Sequence, residues 1–331
     1  MKKKIVVGII GLGVGKRHLD AYLKYGCKVK KIYDFKIETL KNIKKEHPRI
    51  EICKNENEIF DDPEINLVSI ASYDNFHYNQ LIKSIKSKKN IFVEKPIVQK
   101  EEHAKKIINL LNKHKNIFIQ TNFILTESPR FISLKQDIKK KKYGEIYKID
   151  AEYNYGRIEK LTKGWRGKIP FYSVTQGGGI HMIDLISWLI DSKVREVKSY
   201  SNKICTKSSR FKFDDCVVSL LKYENGAIVN LTSNFGCVYP HFHKLSVYGT
   251  KKTFENNVDK IHIFEKRDKK KYKRIPNNYK KYYKGKTLKS FIDLLKKNGN
   301  REKIIQRIFN SINVCFAIEK SIKNNKSVKI K

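Results

Sequence analysis

The sequence predicts two domains of different class: an α/β domain on a parallel, doubly wound sheet, then an α+β domain with a large, mostly antiparallel open sheet. Up to about residue 122, short apolar runs alternate with stretches of helical period, which is typical of βαβ units. Beyond it strand patterns dominate, and Asn225-Gly226 between two of them is a strong hairpin signal. We therefore divide the chain into domains 1–122 and 123–331.

The predicted elements follow in a regular order. Buried strands are expected at 5–10, 29–34, 50–53, 67–71, 91–93 and 117–123, with helices between them that include 37–46 and 100–112. The second domain is expected to hold helices at 128–141, 180–190, 287–297 and 302–323, with strands from residue 146 and again from residue 194. In the first domain, the carboxyl ends of the strands then meet at one edge, where open α/β sheets bind ligands.

The net charge of +38 raises the question of a nucleic-acid partner. Of the 71 basic residues, 60 are lysine and 11 are arginine, the residue preferred for bidentate phosphate and base contacts. Because the lysines spread along the whole chain, we interpret them as a compositional bias and expect no nucleic-acid partner. The densest cluster, Lys266–Lys286, is predicted to be a solvated loop, with RNA or an anionic ligand as the alternative.

Other features of composition bear on the compartment. The six cysteines are scattered without a CxxC pair, which predicts neither a disulfide framework nor a metal site. We see no apolar run of about 18 residues and no signal-peptide pattern. A cytoplasmic protein without a membrane partner is expected.

A glycine-rich segment follows the first predicted strand. Gly11-Leu12-Gly13-Val14-Gly15 precedes a helical stretch, and glycines there let a backbone approach a pyrophosphate at a helix N-terminus. Lys16 stands where the GxGxxG pattern asks for a small residue, so a plain tight turn is the alternative. Asp34 ends the second strand about 20 residues later, where it would meet the ribose hydroxyls of an adenosine; alternatively it caps a helix. Together they predict a Rossmann dinucleotide-binding domain.

A short strand, Ile91–Val93, ends abruptly in Glu94-Lys95-Pro96. A buried strand delivers its last residues to the ligand-binding edge of the sheet, so Lys95 is placed like a working residue. Pro96 is expected to hold Lys95 in an extended conformation. An ordinary strand end with solvated charges is the alternative.

Several segments together resemble the Gfo/Idh/MocA oxidoreductases, over essentially the whole chain. They are Gly11-Leu12-Gly13, Asn75-Phe76-His77, Glu94-Lys95-Pro96, His181-Met182-Ile183-Asp184 with Trp188, and the closing stretch 317–328. The resemblance implies an NAD(P)-dependent dehydrogenase or reductase acting on a CH–OH group of a sugar, a sugar derivative or a cyclic polyol, so the expected partner is a small carbohydrate or a sugar nucleotide. It implies NAD as cofactor, with NADP also possible, and a homodimer or homotetramer formed through the C-terminal sheet.

The resemblance also assigns site residues. Lys95 is expected near the nicotinamide and the substrate, and His181 is expected to be the acid/base. This agrees with the chemistry, since hydride transfer at a carbinol needs a proton partner and a cation beside the oxygen. The expected cofactor-binding residues are Gly11, Gly13, Val14, Gly15, Asp34, Ser72, Asn75, His77, Glu94 and Lys95. The expected substrate-binding residues are Lys95, Tyr155, Arg157, Trp165, Tyr172, Gln176 and His181, with Tyr153 and Arg166 beside them.

One position departs from the family. Many members carry an aspartate four residues before the helix histidine, where this chain has Gly177. Either the aspartate is missing without a replacement, or Tyr172, Thr175 or Gln176 replaces it. A cofactor-binding sensor or structural relative without catalysis is therefore the alternative to an enzyme. Core packing is likewise the alternative for Trp165, and a buried structural role for His181.

Overall fold

A computed structural model of the chain describes residues 4–267, 272–276, 285–297 and 299–330. The described residues of 1–124 and 282–309 form one compact unit, and those of 125–281 and 310–331 form a second. The first unit thus ends its first stretch close to the boundary expected at residue 122. The prediction that all of 123–331 forms one domain is wrong for the described part of 282–309, which belongs to the first unit.

The helices lie close to the predicted positions. They are α1 (Gly15–Lys24), α2 (Ile37–Glu46), α3 (Asn57–Phe60), α4 (His77–Lys86), α5 (Glu101–Lys113), α6 (Pro129–Lys139), α7 (Glu159–Thr162), α8 (Ile180–Ile190), α9 (Lys286–Lys297) and α10 (Arg301–Asn324). The two four-residue helices, α3 and α7, were not expected, because so short a segment has no clear period. No helix in the described part of the chain is long and apolar enough to cross a membrane.

A six-stranded parallel sheet forms the centre of the first unit. Its strands are β1 (Val6–Ile10), β2 (Lys28–Tyr33), β3 (Glu51–Ile52), β4 (Leu67–Ile70), β5 (Asn90–Val93) and β6 (Ile119–Thr121). They are arranged in the order β3-β2-β1-β4-β5-β6. The strand order therefore switches between β1 and β4: β2 and β3 lie on one side of β1, and β4, β5 and β6 lie on the other. β1 and β4 are buried at every position, as expected for a sheet covered on both faces. The predicted doubly wound fold is confirmed.

Helix α9 explains why the late segment joins the first unit. Its residues Leu288, Phe291 and Ile292 are buried in the same core cluster as Leu19 and Tyr22 of α1. An amphipathic helix is stabilised mainly by the burial of such a face. A boundary drawn from the change in strand rhythm could not anticipate this contact, since the pattern gives a helix but not the surface it packs on.

Arg301 adds a polar connection to the same unit. Its buried guanidinium donates hydrogen bonds to the carbonyl oxygens of Ile117 (2.6 Å) and Leu111 (2.5 Å). These carbonyls follow or end α5, where backbone acceptors lack helical partners. The start of α10 is thereby fixed to the first unit.

The second unit contains a nine-stranded sheet. Its strands are β7 (Ile146–Asn154), β8 (Val194–Asn202), β9 (Cys216–Tyr223), β10 (Ile228–Asn234), β11 (Phe242–Gly249), β12 (Thr253–Asn256), β13 (Lys260–Phe264), β14 (Tyr272–Pro276) and β15 (Val328–Lys329). The order is β14-β13-β12-β11-β7-β10-β9-β8-β15. Within this sheet, β7–β10 is the only parallel pair among the described strands. The predicted, mostly antiparallel sheet is therefore confirmed.

Two details of this unit bear on the sequence predictions. The hairpin between β9 and β10 turns at Gly226, which has φ +87°, as the Asn-Gly signal predicted. The whole of Lys266–Lys286 was expected to be a solvated loop, but Tyr272–Pro276 is a strand paired with β13, and Lys286 begins α9. Residues 268–271 and 277–284 of that cluster lie outside the described residues.

Candidate active site

The glycine turn after β1 packs tightly against the loop after β4. Gly11 has φ +83°, and its N–H donates a hydrogen bond to the carbonyl of Tyr33 at 2.8 Å. A Cβ added at Gly11 would lie 2.5 Å from the backbone nitrogen of Ser72 and 2.6 Å from Ala71. Both the positive φ and the close approach require glycine here. The departure at Lys16 therefore leaves the functional part of the turn intact.

The other side of the turn is open. Gly13 and Val14 are exposed, and no atom lies within 4 Å of the position of a Cβ at Gly13. Helix α1 begins at Gly15, and its first turn carries no acidic residue. Backbone N–H groups at the start of a helix favour an anion, so this turn fits the pyrophosphate of a dinucleotide.

Asp34 stands at the end of β2 beside the turn. Its Oδ2 accepts a hydrogen bond from the N–H of Leu12 (2.5 Å), and its Oδ1 accepts one from the N–H of Lys36 (2.8 Å). The residue is buried, with 8% of its surface exposed. The carboxylate therefore holds the glycine turn in place, a role that sequence reasoning did not assign to it.

Ser72, Asn75 and His77 lie at the same sheet edge, after β4. The Ser72 hydroxyl donates to Oε1 of Gln80 at 2.6 Å. His77 is fully buried, with Nδ1 2.7 Å from the carbonyl oxygen of Pro96 and Nε2 3.2 Å from that of Ser72. His77 thus links the loops after β4 and β5. Its direct contact with a cofactor stays a prediction.

Asn75 differs from its neighbours. Its Oδ1 is buried and accepts no hydrogen bond from any described residue. A buried acceptor without a donor is costly, and a ligand bound at this edge could supply the donor. Together with the open face at Gly13, this atom indicates that the residues present fit a dinucleotide.

Glu94 and Lys95 follow β5, and the Lys95–Pro96 peptide bond is cis. Oε1 of Glu94 accepts hydrogen bonds from Nδ2 of Asn122 (2.7 Å) and from Nε2 of His18 (3.1 Å). Burial alone would raise the pKa of Glu94, but the bonds from His18 and Asn122 and the nearby Lys95 charge lower it to about 2. Glu94 is therefore an ionised, buried support beside Lys95, and its contact with the cofactor stays a prediction.

In the second unit, His181 lies in the first turn of α8 and is 5% exposed. The Tyr153 ring stacks with its centroid 6.1 Å from that of His181, and the ring of His243 lies edge-on at 6.4 Å. Phe235 also stacks on Tyr153 at 5.5 Å. The described residues contain no group of His, Cys, Asp or Glu side chains suited to a metal. His181 thus lies against the ring of Tyr153, on which Phe235 stacks, and we call these two rings the aromatic wall.

Two further histidines complete this wall. Burial raises the pKa of Tyr153, so its hydroxyl stays protonated and can donate to Nε2 of His241 at 3.1 Å. Burial, with the nearby His241 and Arg130, holds the pKa of His243 well below its usual range. His243 is thus kept neutral, whereas half-buried His241 is accessible.

The position of the missing aspartate is filled by Tyr172. A Cβ added at Gly177 would overlap the Tyr172 hydroxyl and lie 2.6 Å from its Cζ. The same hydroxyl accepts a hydrogen bond from Nε of Arg166 at 3.0 Å. Tyr172 is buried, and Trp165 packs edge-on against it at 6.2 Å. Of the three replacements considered from the sequence, Tyr172 is the one that occupies this space.

Gln176 and Gly177 lie in a π-helical turn, Thr175–Gly179, that leads directly into α8. Such turns are rare and are frequent at functional sites. Nε2 of Gln176 donates to both carboxylate oxygens of Glu319 on α10, at 2.9 and 3.1 Å. Glu319 also borders a cavity of about 300 Å³ lined on its other side by Tyr172–Thr175. Gln176 therefore ties the turn before His181 to α10.

We expect the stability of the chain to depend on pH through Glu319. Burial raises the pKa of Glu319 to about 7, although hydrogen bonds from Ser173 and Gln176 lower it. Between pH 4.5 and about 7, Glu319 is therefore protonated in the folded chain but ionised in the unfolded chain. The free energy of unfolding then falls as the pH rises through this range. The free energy of unfolding of Glu319→Gln, relative to that of the wild type, should rise by about 2 kcal/mol from pH 5 to pH 8, because the variant has no proton to lose.

Urea unfolding at several pH values measures this effect. Glu224→Gln, at an exposed residue in the turn between β9 and β10, is the matched control and should follow the wild type at every pH. Curves for Glu319→Gln and wild type that stay parallel from pH 5 to pH 8 would contradict the assignment.

Several residues of the site were not singled out from the sequence: His18, Glu319, His241 and His243. Each reaches its partner across a long stretch of chain; Glu319, for example, is 143 residues from Gln176. A local pattern cannot report such a pairing. The only available signal was for His243 of β11 and His241 just before that strand, since the two alternate as residues on one strand face do.

Comparison with known proteins defines the family. Residues 5–123 match the model for the Gfo/Idh/MocA oxidoreductase family with an NAD-binding Rossmann fold, and residues 131–255 match the Gfo/Idh/MocA C-terminal domain. The uncharacterized oxidoreductase YrbE of Bacillus subtilis is 27% identical over 262 residues, 76% of this chain and 73% of that protein. The myo-inositol 2-dehydrogenase of Thermotoga maritima is 23% identical over 267 residues, 76% and 75% of the two chains.

Solved structures agree on the fold. A levoglucosan dehydrogenase in complex with NADH superposes with a TM-score of 0.88 at 19% identity, covering 99% of each chain. The two family models define an oxidoreductase with an NAD-binding Rossmann domain. The chain belongs to the Gfo/Idh/MocA family and uses a nicotinamide cofactor.

Proposed function

We propose that this protein is a dehydrogenase or reductase of the CH–OH class that acts on a sugar, a sugar derivative or a cyclic polyol. The observation that carries the proposal is the retention of an intact glycine turn, Lys95 after β5 and His181 at the start of α8 in one chain of this family. Relatives named as dehydrogenases of inositol and of levoglucosan support this substrate class.

We assign the chemistry of the reaction to two residues. When bound, the nicotinamide supplies or accepts the hydride. His181 accepts the hydroxyl proton in oxidation and returns it in reduction, because imidazole titrates near neutral pH. The Lys95 ammonium stabilises negative charge on the substrate oxygen.

We assign the remaining residues to binding. Gly11, Gly13, Val14 and Gly15 hold the pyrophosphate, and Asn75 and Ser72 lie at the same sheet edge. We assign Tyr155, Trp165 and Tyr172 to the substrate side: half-buried Trp165 provides an aromatic face suited to a sugar ring, and the buried Tyr155 and Tyr172 pack beside it. Gln176 supports the turn before His181 through Glu319.

Asp34 is expected to make NAD the preferred cofactor. Its carboxylate would repel the 2′-phosphate of NADP, and the nearby Lys36 side chain softens that preference. We expect wild type to bind NADH more tightly than NADPH and Asp34→Ser to narrow the difference about tenfold. Asp34→Asn is the control, because it removes the charge but keeps an oxygen for the N–H of Leu12. Fluorescence titration measures both affinities, and tighter NADPH binding by the wild type would exclude the assignment.

Turnover of a substrate panel tests the function itself. NAD reduction is followed with myo-inositol, scyllo-inositol, levoglucosan, common hexoses and their acidic derivatives. Turnover of at least one of them, with saturation in both substrate and NAD, is the expected result. Tight NADH binding without any turnover would favour the sensor that the glycine at 177 left open.

We also propose that the second unit forms a homodimer or homotetramer through its sheet. Tyr200, Val218, Leu220 and Ile228 lie on one face of β8, β9 and β10 and are each 41–63% exposed. An apolar patch of this kind marks an interaction surface. Light scattering of the purified chain measures the number of copies, and a monomer would contradict the proposal. The cytoplasm is the proposed compartment.

A further inference from the structure

Two guanidinium groups lie over the aromatic residues of the second unit. Cζ of Arg157 is 5.7 Å and Cζ of Arg166 is 5.8 Å from the ring centroid of Tyr155. Arg166 also lies 4.7 Å from the centroid of Trp165. We call these four residues the arginine shelf. It concentrates two of the 11 arginines of a lysine-rich chain on one tyrosine ring, which a general excess of lysine does not explain.

The guanidinium of Arg166 is held in a fixed orientation. Its Nε donates to the hydroxyl of Tyr172 at 3.0 Å, and its plane lies among the rings of Trp165, Tyr172 and Tyr155. Less conformational entropy is lost when a side chain held in this way binds a ligand. Arginine also offers a planar pair of donors that matches carboxylate and phosphate oxygens, which lysine does not.

The positive charge of the shelf extends into the aromatic wall. Burial and the nearby Tyr155 and Tyr172 raise the pKa of Tyr153, whereas Arg166 and Arg157 both act to lower it. No ion pair joins Arg157 to a carboxylate within the described residues. Two cations near a buried surface, one of them lacking a protein counter-ion, favour an anionic ligand.

We propose that the substrate carries an anionic group, a carboxylate or a phosphate, and that Arg157 and Arg166 bind it. This inference rests on the proposed function and narrows its substrate class to acidic sugars or polyols. Trp165, which is half-buried, then contacts the apolar face of the sugar ring while the two guanidinium groups bind its oxyanion. The net charge of +38 also attracts such a substrate from solution.

Matched substrate pairs test the proposal. The ratio of kcat/KM is measured for D-glucuronate over D-glucose, for D-glucose 6-phosphate over D-glucose, and for an inositol monophosphate over myo-inositol. We expect at least one ratio above about ten in the wild type, and the pair that shows it tells carboxylate from phosphate. Arg157→Gln and Arg166→Lys should each lower that ratio about tenfold or more. Arg195→Gln, an exposed arginine of β8 in the same unit, should leave it unchanged.

Failure of this inference differs from failure of the proposed function. Ratios near one in the wild type, or a ratio that neither Arg157→Gln nor Arg166→Lys lowers, would overturn the anionic substrate and leave the dehydrogenase intact. If no compound is turned over, calorimetry with D-glucuronate and D-glucose 6-phosphate decides. Binding that Arg157→Gln abolishes would then support the arginine shelf, and absence of binding would overturn it.

Discussion

Replacing His181 by Asn, or Lys95 by Met, is expected to lower kcat about 100-fold or more while NADH binding changes little. Asparagine keeps the size and polarity of the imidazole in the wall beside Tyr153 but cannot take up a proton near neutral pH. Methionine keeps the length of Lys95 without its charge, so the substrate oxygen loses its cation. Steady-state kinetics on the best substrate of the panel, with fluorescence titration of NADH, measures both effects.

Matched controls separate catalysis from packing. His241→Asn changes another histidine that contacts Tyr153, and Lys100→Met changes an exposed lysine shortly after Lys95. Both should keep kcat within a few-fold of wild type. Full activity of His181→Asn would show that the proton passes elsewhere, and a large loss in His241→Asn would then identify His241 as the carrier.

Much of the fold followed from local patterns. The strands β1, β4 and β5 are short and largely apolar, and α8 spans 180–190 as its period predicts. Gly11 could be recognised because a turn with positive φ and close backbone contact requires glycine. These features depend on neighbours in sequence, which a single sequence reports well.

The features that the sequence did not predict depend on contacts between residues that are distant along the chain. Asp34 was expected to face a ribose, but its carboxylate also fixes the N–H of Leu12. Glu94 was expected at the cofactor, and that contact stays a prediction; the sequence did not indicate that its carboxylate accepts hydrogen bonds from His18 and Asn122. Pairings of this kind follow from how strands and helices are stacked. The same holds for α9, whose apolar face gave a helix but not the unit on which it packs.

Gly177→Asp is expected to lower both activity and stability, because Tyr172 already fills the space of a side chain at 177. The new Cβ would overlap the Tyr172 hydroxyl and lie 2.6 Å from Cζ. Forcing atoms into a packed interior costs roughly 1–3 kcal/mol, and here the displaced ring would disturb the π-helical turn before His181. We expect kcat to fall at least tenfold. Thermal unfolding and steady-state kinetics of the variant measure the two losses.

A second substitution at Tyr172 distinguishes steric conflict from loss of a glycine. Tyr172→Ala removes the ring, so adding Gly177→Asp should cost far less activity in the Tyr172→Ala background than in the wild type. Tyr172→Phe keeps Cζ, which would still lie 2.6 Å from the added Cβ, so Gly177→Asp/Tyr172→Phe should remain impaired. The effects of Gly177→Asp and Tyr172→Ala on activity are then strongly non-additive, because the second substitution removes the conflict that the first creates. If Gly177→Asp costs the same activity in the Tyr172→Ala and Tyr172→Phe backgrounds, Tyr172 and residue 177 do not compete for one space. The glycine would then serve the backbone of the turn instead.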